Sequence, residues 1–156
     1  MMQNATIDSA YLVEHAMLIG RSYRRLLGEP LLDGVRTEKA FADALFHAPF
    51  AVVTHDTSDD PVFNYANVTA LSLFEMNWSE FTQTPSRLSA EPVNRQERSR
   101  LLSQVTEHGF IKDYSGVRIS KNGKRFIIEQ AVVWNLLDES DNYRGQAACF
   151  SRWRYL

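Results

Sequence analysis

One cysteine, Cys149, occurs in 156 residues. A lone thiol excludes an internal disulfide and any cysteine-based zinc cage within one chain. Gln146, Ala147, Ala148 and Phe150 give it a strand-like setting with no cation or helix start to activate it. It is expected to be a small buried hydrophobe. Long apolar runs are also missing, and none approaches the roughly 20 residues that cross a bilayer. The first nine residues lack the charged-then-apolar order of a secretory signal, so the expectation is a cytoplasmic protein with no membrane partner. Excess charge of one sign is absent as well. A formal net charge of −2 offers no footprint for nucleic acid, and none is expected as a partner. There is no Gly-rich phosphate loop, nucleophile elbow or paired-carboxylate motif. The histidines, His15, His47, His55 and His108, show no metal-ligand spacing, so no metal site is expected.

What is present is ordinary globular composition, 44% hydrophobic and 23% charged, enough for one core. Residues 7–27 read as a helix with Leu12, Ala16, Ile19, Tyr23 and Leu26 on one stripe, stopped by Gly28. The stripe resembles a short a/d seam, and a homodimer formed through these five residues is the expectation; packing on the chain's own sheet is the competing reading. Thr37 caps a second short helix carrying Phe41, Leu45 and Phe46 inward. The character changes at Pro49. Residues 50–56 and 62–65 read as a hairpin, and Asn67 as the cap of a helix with Ala70, Leu71 and Phe74 on its buried side. Short turns follow around Pro85. Asn94 to Glu97 matches a capping box opening a helix with Leu101, Leu102 and Val105. Residues 110–120, 125–137 and 143–153 read as an antiparallel meander, its first turn Asn122-Gly123. The fold class is therefore α+β: a five-stranded antiparallel sheet with the 50–56 strand central and helices on one face. An N-terminal helical extension, residues 1–48, precedes the sheet domain, residues 49–156. Arg152-Trp153-Arg154-Tyr155 reads as a solvated tail.

The order and several stretches resemble the PAS superfamily: Val62 to Phe74 with Asn67, the Lys121-Asn122-Gly123 turn and Tyr143-Arg144-Gly145. A narrower resemblance is to the PAS-related MEKHLA domain family. It rests on Phe63 to Asn67, Leu73 to Met76, Pro85 to Pro92, Asp113 to Ser120 and Glu129 to Asn135. The resemblance implies a PAS-like fold and a role in sensing or dimerisation. It assigns no cofactor. Haem-binding PAS domains use a histidine near the helix before the meander, but His108, ending that helix beside Gly109, reads as a partner of the helix dipole. A covalently held flavin needs a helical cysteine, and Cys149 is on a strand.

Glu75, Glu91 and Glu129 sit among apolar residues and would need partners if buried, with Arg87 or Arg118 available. Strict alternation along residues 125–137 puts Glu129 and Asn135 on one face and Trp134 on the other. The expected site is a small, mostly apolar pocket edged by Tyr65, Arg87, Arg118 and Glu129, with Trp134 as a candidate stacker. It would bind a small organic ligand with one polar end. The rival readings are a small α+β isomerase or hydrolase using cavity carboxylates, and a purely structural dimerisation domain. The leading reading is non-enzymatic.

Overall fold

The structure, a computed structural model, describes residues 9–156. The first helix, α1 (Ser9–Leu27), is amphipathic; the start expected at residue 7 lies outside the described residues. It ends where Gly28 takes φ +83° and donates its N–H to the Arg24 carbonyl. The Thr37 hydroxyl accepts from the Ala40 N–H and opens α2 (Glu38–Phe46). A hairpin of β1 (Ala51–His55) and β2 (Phe63–Ala66) leads into α3 (Val68–Phe74) and α4 (Trp78–Phe81). A 3-10 turn (Ser86–Ser89) precedes α5 (Pro92–His108). Then come β3 (Phe110–Ile119), β4 (Arg125–Leu137), β5 (Tyr143–Phe150) and β6 (Arg152–Tyr155). The capping box expected at Asn94 does not form. Helix α5 begins three residues earlier, at Pro92, whose fixed φ and missing N–H suit the first helical position. A capping box does form at Asn77 and Glu80, opening α4.

The strands form one antiparallel sheet in the order β2-β1-β5-β4-β3, with β6 paired to β4. The centre is β5, not the 50–56 strand. Strand β5 inserts between β1 and β4 and leaves β1 one place from the edge. The supposed tail is a strand too. Pairing runs in one register from Val132↔Cys149 to Glu129↔Arg152 and on to Phe126↔Tyr155. Thus β5 and β6 are a single strand interrupted at Ser151, opposite Gln130. The 13-residue β4 outruns β5, and the terminal residues complete its ladder.

Both faces of the sheet are covered. On one, α3, α4 and α5 pack a core that includes Val53, Phe63, Phe74, Phe126, Ile128 and Val133. On the other, Ala16, Ile19 and Tyr23 of α1 and Leu45 and Phe46 of α2 meet Val52, Tyr65, Trp134 and Leu136. Residues 9–48 therefore share a core with the sheet instead of standing apart as an extension. The stripe read as a dimer seam is spent the same way: Ile19 is fully buried, and Ala16 and Tyr23 nearly so. A seam committed to the chain's own sheet is not available to a second copy. Burying an apolar sheet face of this size is the stronger demand.

Two bulges decide which side chains face which layer. Between Ile111↔Val133 and Tyr114↔Ala131 strand β3 carries an extra residue, and between Tyr114↔Ala131 and Gly116↔Ile128 strand β4 does. Asp113 (φ +57°) and Gln130 (φ +53°) take up the left-handed conformations. Phe126 and Ile128 face the layer of α3, α4 and α5, and after Gln130 that role passes to Ala131 and Val133, while Trp134 faces α1. Strict alternation along residues 125–137 therefore fails in the middle of the strand.

Candidate functional site

A cavity of about 50 Å³ lies between α5 and the concave face of the sheet. Its walls are largely apolar, with Phe63, Phe74, Leu101, Ile128, Val133 and Phe150 among them. Polar groups enter from three sides. Arg98 comes from the inward stripe of α5, one turn before Leu101. Arg118 comes from β3, and His55 and Gln146 from β1 and β5.

Tyr114 organises the β3 side. Its hydroxyl accepts from Arg118 Nη2 at 3.1 Å and donates to Glu97 Oε1 at 3.0 Å. The Arg118 guanidinium carbon lies 5.5 Å from the Tyr114 ring centroid, and Nη1 donates to the Val117 carbonyl at 2.8 Å. Gly116 makes the arrangement possible. A Cβ there would collide with the Tyr114 hydroxyl and come within 3.0 Å of Arg118 Nη1.

At the other end a buried network ties α5 to the sheet. Gln146 Nε2 lies within hydrogen-bond distance of three acceptors, Asn135 Oδ1, the Leu102 carbonyl and Thr106 Oγ1, while its Oε1 lies 3.1 Å from His55 Nε2. Asn135 Nδ2 donates to the Val105 carbonyl at 3.0 Å. Burial lowers the pKa of His55, which favours its neutral form. Burial, reinforced by the charge of Arg118, lowers Arg98 to about 10, still protonated at neutral pH.

The residues singled out from sequence do not converge. Arg118 alone lines this cavity. Arg87 is on the surface, its Nε 3.1 Å from Asp60 Oδ1. Glu129 accepts from Arg154 Nε at 3.2 Å on the far side of the Gln130 bulge from Asn135. Tyr65 and Trp134 are on the opposite face of the sheet, under α1 and α2. Trp134 stacks edge-on against Tyr23 at 4.9 Å, and neither its indole N–H nor the Tyr65 hydroxyl has a hydrogen-bond partner among the described residues. Asn67 caps α3 through Ala70 N–H at 3.1 Å. The Gln130 bulge accounts for the position of Trp134 and for the separation of Glu129 from Asn135. Tyr65 and Arg87 lie outside β3 and β4, and Arg118 and Glu129 face opposite layers by simple alternation in the hairpin. Sequence reasoning missed Arg98. Its signal was there: position 98 continues the buried spacing of Leu101 and Val105 toward the helix start.

The other chemical candidates lie elsewhere. Cys149 lies on β5 beside the α1–α2 core, and burial pushes its thiol up to about 12. His108 is exposed at the end of α5. Glu75 accepts from Ser120 Oγ at 2.5 Å, and Glu91 from Arg125 Nε at 2.7 Å. Among the described residues there is no group of three or more His, Cys, Asp or Glu that could hold a metal. No described helix is long and apolar enough to cross a membrane.

Comparison with known proteins agrees with this architecture. The PAS domain of a protein from Colwellia psychrerythraea superposes with a TM-score of 0.61 at 17% identity, covering 74% of this chain and 92% of that one. The light-state dimer of the fungal blue-light photoreceptor Vivid gives 0.58 at 16% identity, covering 86% and 90%. In sequence, the chain is 29% identical over 145 residues to the homeobox-leucine zipper protein HOX10 of Oryza sativa subsp. indica. It is 25% identical over 145 residues to ATHB-15 of Arabidopsis thaliana. Both alignments cover 90% of this chain but only 17% of those proteins. The sequence profile of the MEKHLA domain matches residues 13–155, taking in most of α1 and all of α2 as well as the sheet. The fold is PAS-like, and the chain belongs to the MEKHLA domain family.

Proposed function

We propose that the chain is a sensory module that takes a small organic ligand into the cavity between α5 and the sheet. The observation that carries this reading is the combination of a largely apolar cavity with buried polar side chains lining it. Filling that space with a few methyl groups would stabilise a domain whose only task was to be rigid. The route for a signal is short: β4 and β5 wall the cavity on one face and support α1 and α2 on the other. The sheet links the two layers directly.

An isomerase or hydrolase would need an acid and a base converging on the cavity. Glu75, Glu91 and Glu129 are paired with surface cations instead, and His55 is held between Gln146 and the Asp56 carbonyl. The homeobox relatives are named for a part of their length that this chain does not span, so their DNA binding is not carried over. One observation favours a pure interaction domain. The cavity is well below the roughly 300 Å³ at which drug-sized ligand pockets begin. Self-association would need a surface other than the buried α1 stripe.

Native mass spectrometry of freshly purified protein, followed by a thermal-shift screen of small metabolites, separates these readings. A retained small mass, or a compound that raises the melting temperature, supports the sensory module. A bare chain that no compound stabilises leaves the interaction domain.

A further inference from the structure

The cavity holds two arginines and no acid. Arg98 is 8% exposed and Arg118 is 7% exposed, and none of the cavity-lining residues is Asp or Glu. Arg118 is partly satisfied by the Val117 carbonyl and the Tyr114 hydroxyl. Arg98 is not: among the described residues no hydrogen bond or ion pair engages its guanidinium, although it feels the charges of Arg118 and Glu97. Glu97, the nearest acid in sequence, is exposed on α5 and accepts from Tyr114.

A buried, unpaired cation costs several kcal/mol, and a like charge beside it adds to that cost. Leucine or methionine at position 98 would extend the inward stripe of α5 without any such penalty. The penalty is relieved if an anion occupies the space between the two guanidinium groups. Arginine suits this role because its planar fork of donors matches a carboxylate and stays charged when desolvated.

We propose that the ligand of this cavity is a short organic acid, its carboxylate held by Arg98 and Arg118 and its apolar end against Phe63, Phe74, Ile128 and Phe150. This rests on the small-ligand reading above and gives it a chemical class. Size follows from the volume. A cavity of about 50 Å³ has room for only a few water-sized spheres of roughly 10–15 Å³ each. That suits acids of about two to five carbons. The apolar walls disfavour phosphate, which presents polar oxygens on every side.

The test uses the full chain and a set of matched probes: butyrate and pyruvate, the neutral isostere butyramide, and inorganic phosphate and chloride at equal ionic strength. Butyrate or pyruvate should raise the melting temperature by roughly 5 °C at a hundredfold excess over Kd. Butyramide should not. Arg98→Met should weaken carboxylate binding about tenfold or more, with Arg98→Lys between the two. Arg98→Met should also be no less stable than wild type without ligand, because it removes a buried charge. Equal binding of butyramide and butyrate, or unchanged affinity in Arg98→Met, would overturn the anion assignment and leave the ligand reading intact. Phosphate or chloride stabilising as strongly as the carboxylates would overturn the organic acid as ligand. If no probe of any kind binds and the interior proves solidly packed, both readings fall together.

Discussion

Asn67 makes four hydrogen bonds with one amide. Its Oδ1 accepts from the Val52 and Ala70 N–H groups, and its Nδ2 donates to the Leu45 and Phe50 carbonyls. From sequence the residue reads as a helix cap, worth about 0.5–2 kcal/mol. The cap is one bond of the four; the others tie the end of α2 and strand β1 to the start of α3. Asn67→Ala should therefore cost more than about 2 kcal/mol, since it strands buried partners on three elements. A urea midpoint shift within the ordinary cap range would show that water replaces the lost amide. A second residue-scale effect comes from His15, wedged between Tyr11 and Tyr65 with Nε2 2.9 Å from Thr54 Oγ1. Burial, with the charge of Arg144 adding to it, lowers His15 from 6.5 to about 4. The unfolded chain binds the proton more readily than the folded one, so stability is lost as pH falls from about 6.5 toward 4. Between pH 7 and pH 5 the loss should be about 2 kcal/mol. His15→Gln should flatten that dependence, and equal wild-type midpoints at both pH values would show that the site admits the proton freely.

At the scale of elements, what was legible follows from local chemistry, and what was not follows from register. Gly28, Thr37 and the Asn122-Gly123 turn mark the ends of α1, the start of α2 and the β3–β4 connection where the structure has them. The bulges left no comparable mark, because Asp113 and Gln130 are not residues that announce a left-handed conformation as glycine does. Their effect is large. A one-residue slip exchanges the two faces of a strand. Gln130 thus separates Glu129 from the Asn135 network and sends Trp134 under α1. This explains why the shared face that strict alternation gives Glu129 and Asn135 does not exist. Since a left-handed non-glycine residue carries strain of about 1 kcal/mol or more, Gln130→Gly should be neutral or stabilising. Gln130→Val should destabilise by about 1–2 kcal/mol, because a β-branched side chain fits that conformation poorly. If denaturation midpoints for Gly and Val fall together, the bulge is held by Ser151 opposite and not by the conformation of residue 130.

For the whole molecule, the composition change at Pro49 suggests a boundary, yet the packing crosses it. Trp134, Tyr65, Val52 and Leu136 are fully buried only because α1 and α2 lie over them. Burial of each such side chain is worth about 1.5–3 kcal/mol, so the N-terminal helices contribute on the scale of a whole domain's net stability. Periodicity could identify the apolar stripe of α1 but not its partner, since a stripe for a second copy and one for the chain's own sheet have the same spacing. Two experiments separate them. Ile19→Glu places a carboxylate at a fully buried position facing the sheet and should unfold the protein, visible as lost near-ultraviolet dichroism and not as conversion of a dimer to a folded monomer. Removing residues 1–48 should expose one entire face of the sheet. The remaining chain should then aggregate, or associate through that face, in light scattering. A truncated chain that stays monomeric and unfolds cooperatively would show instead that the sheet with α3, α4 and α5 is complete without α1 and α2. The route proposed for the signal, from the cavity through β4 and β5 to the N-terminal layer, would then end on helices the fold does not need.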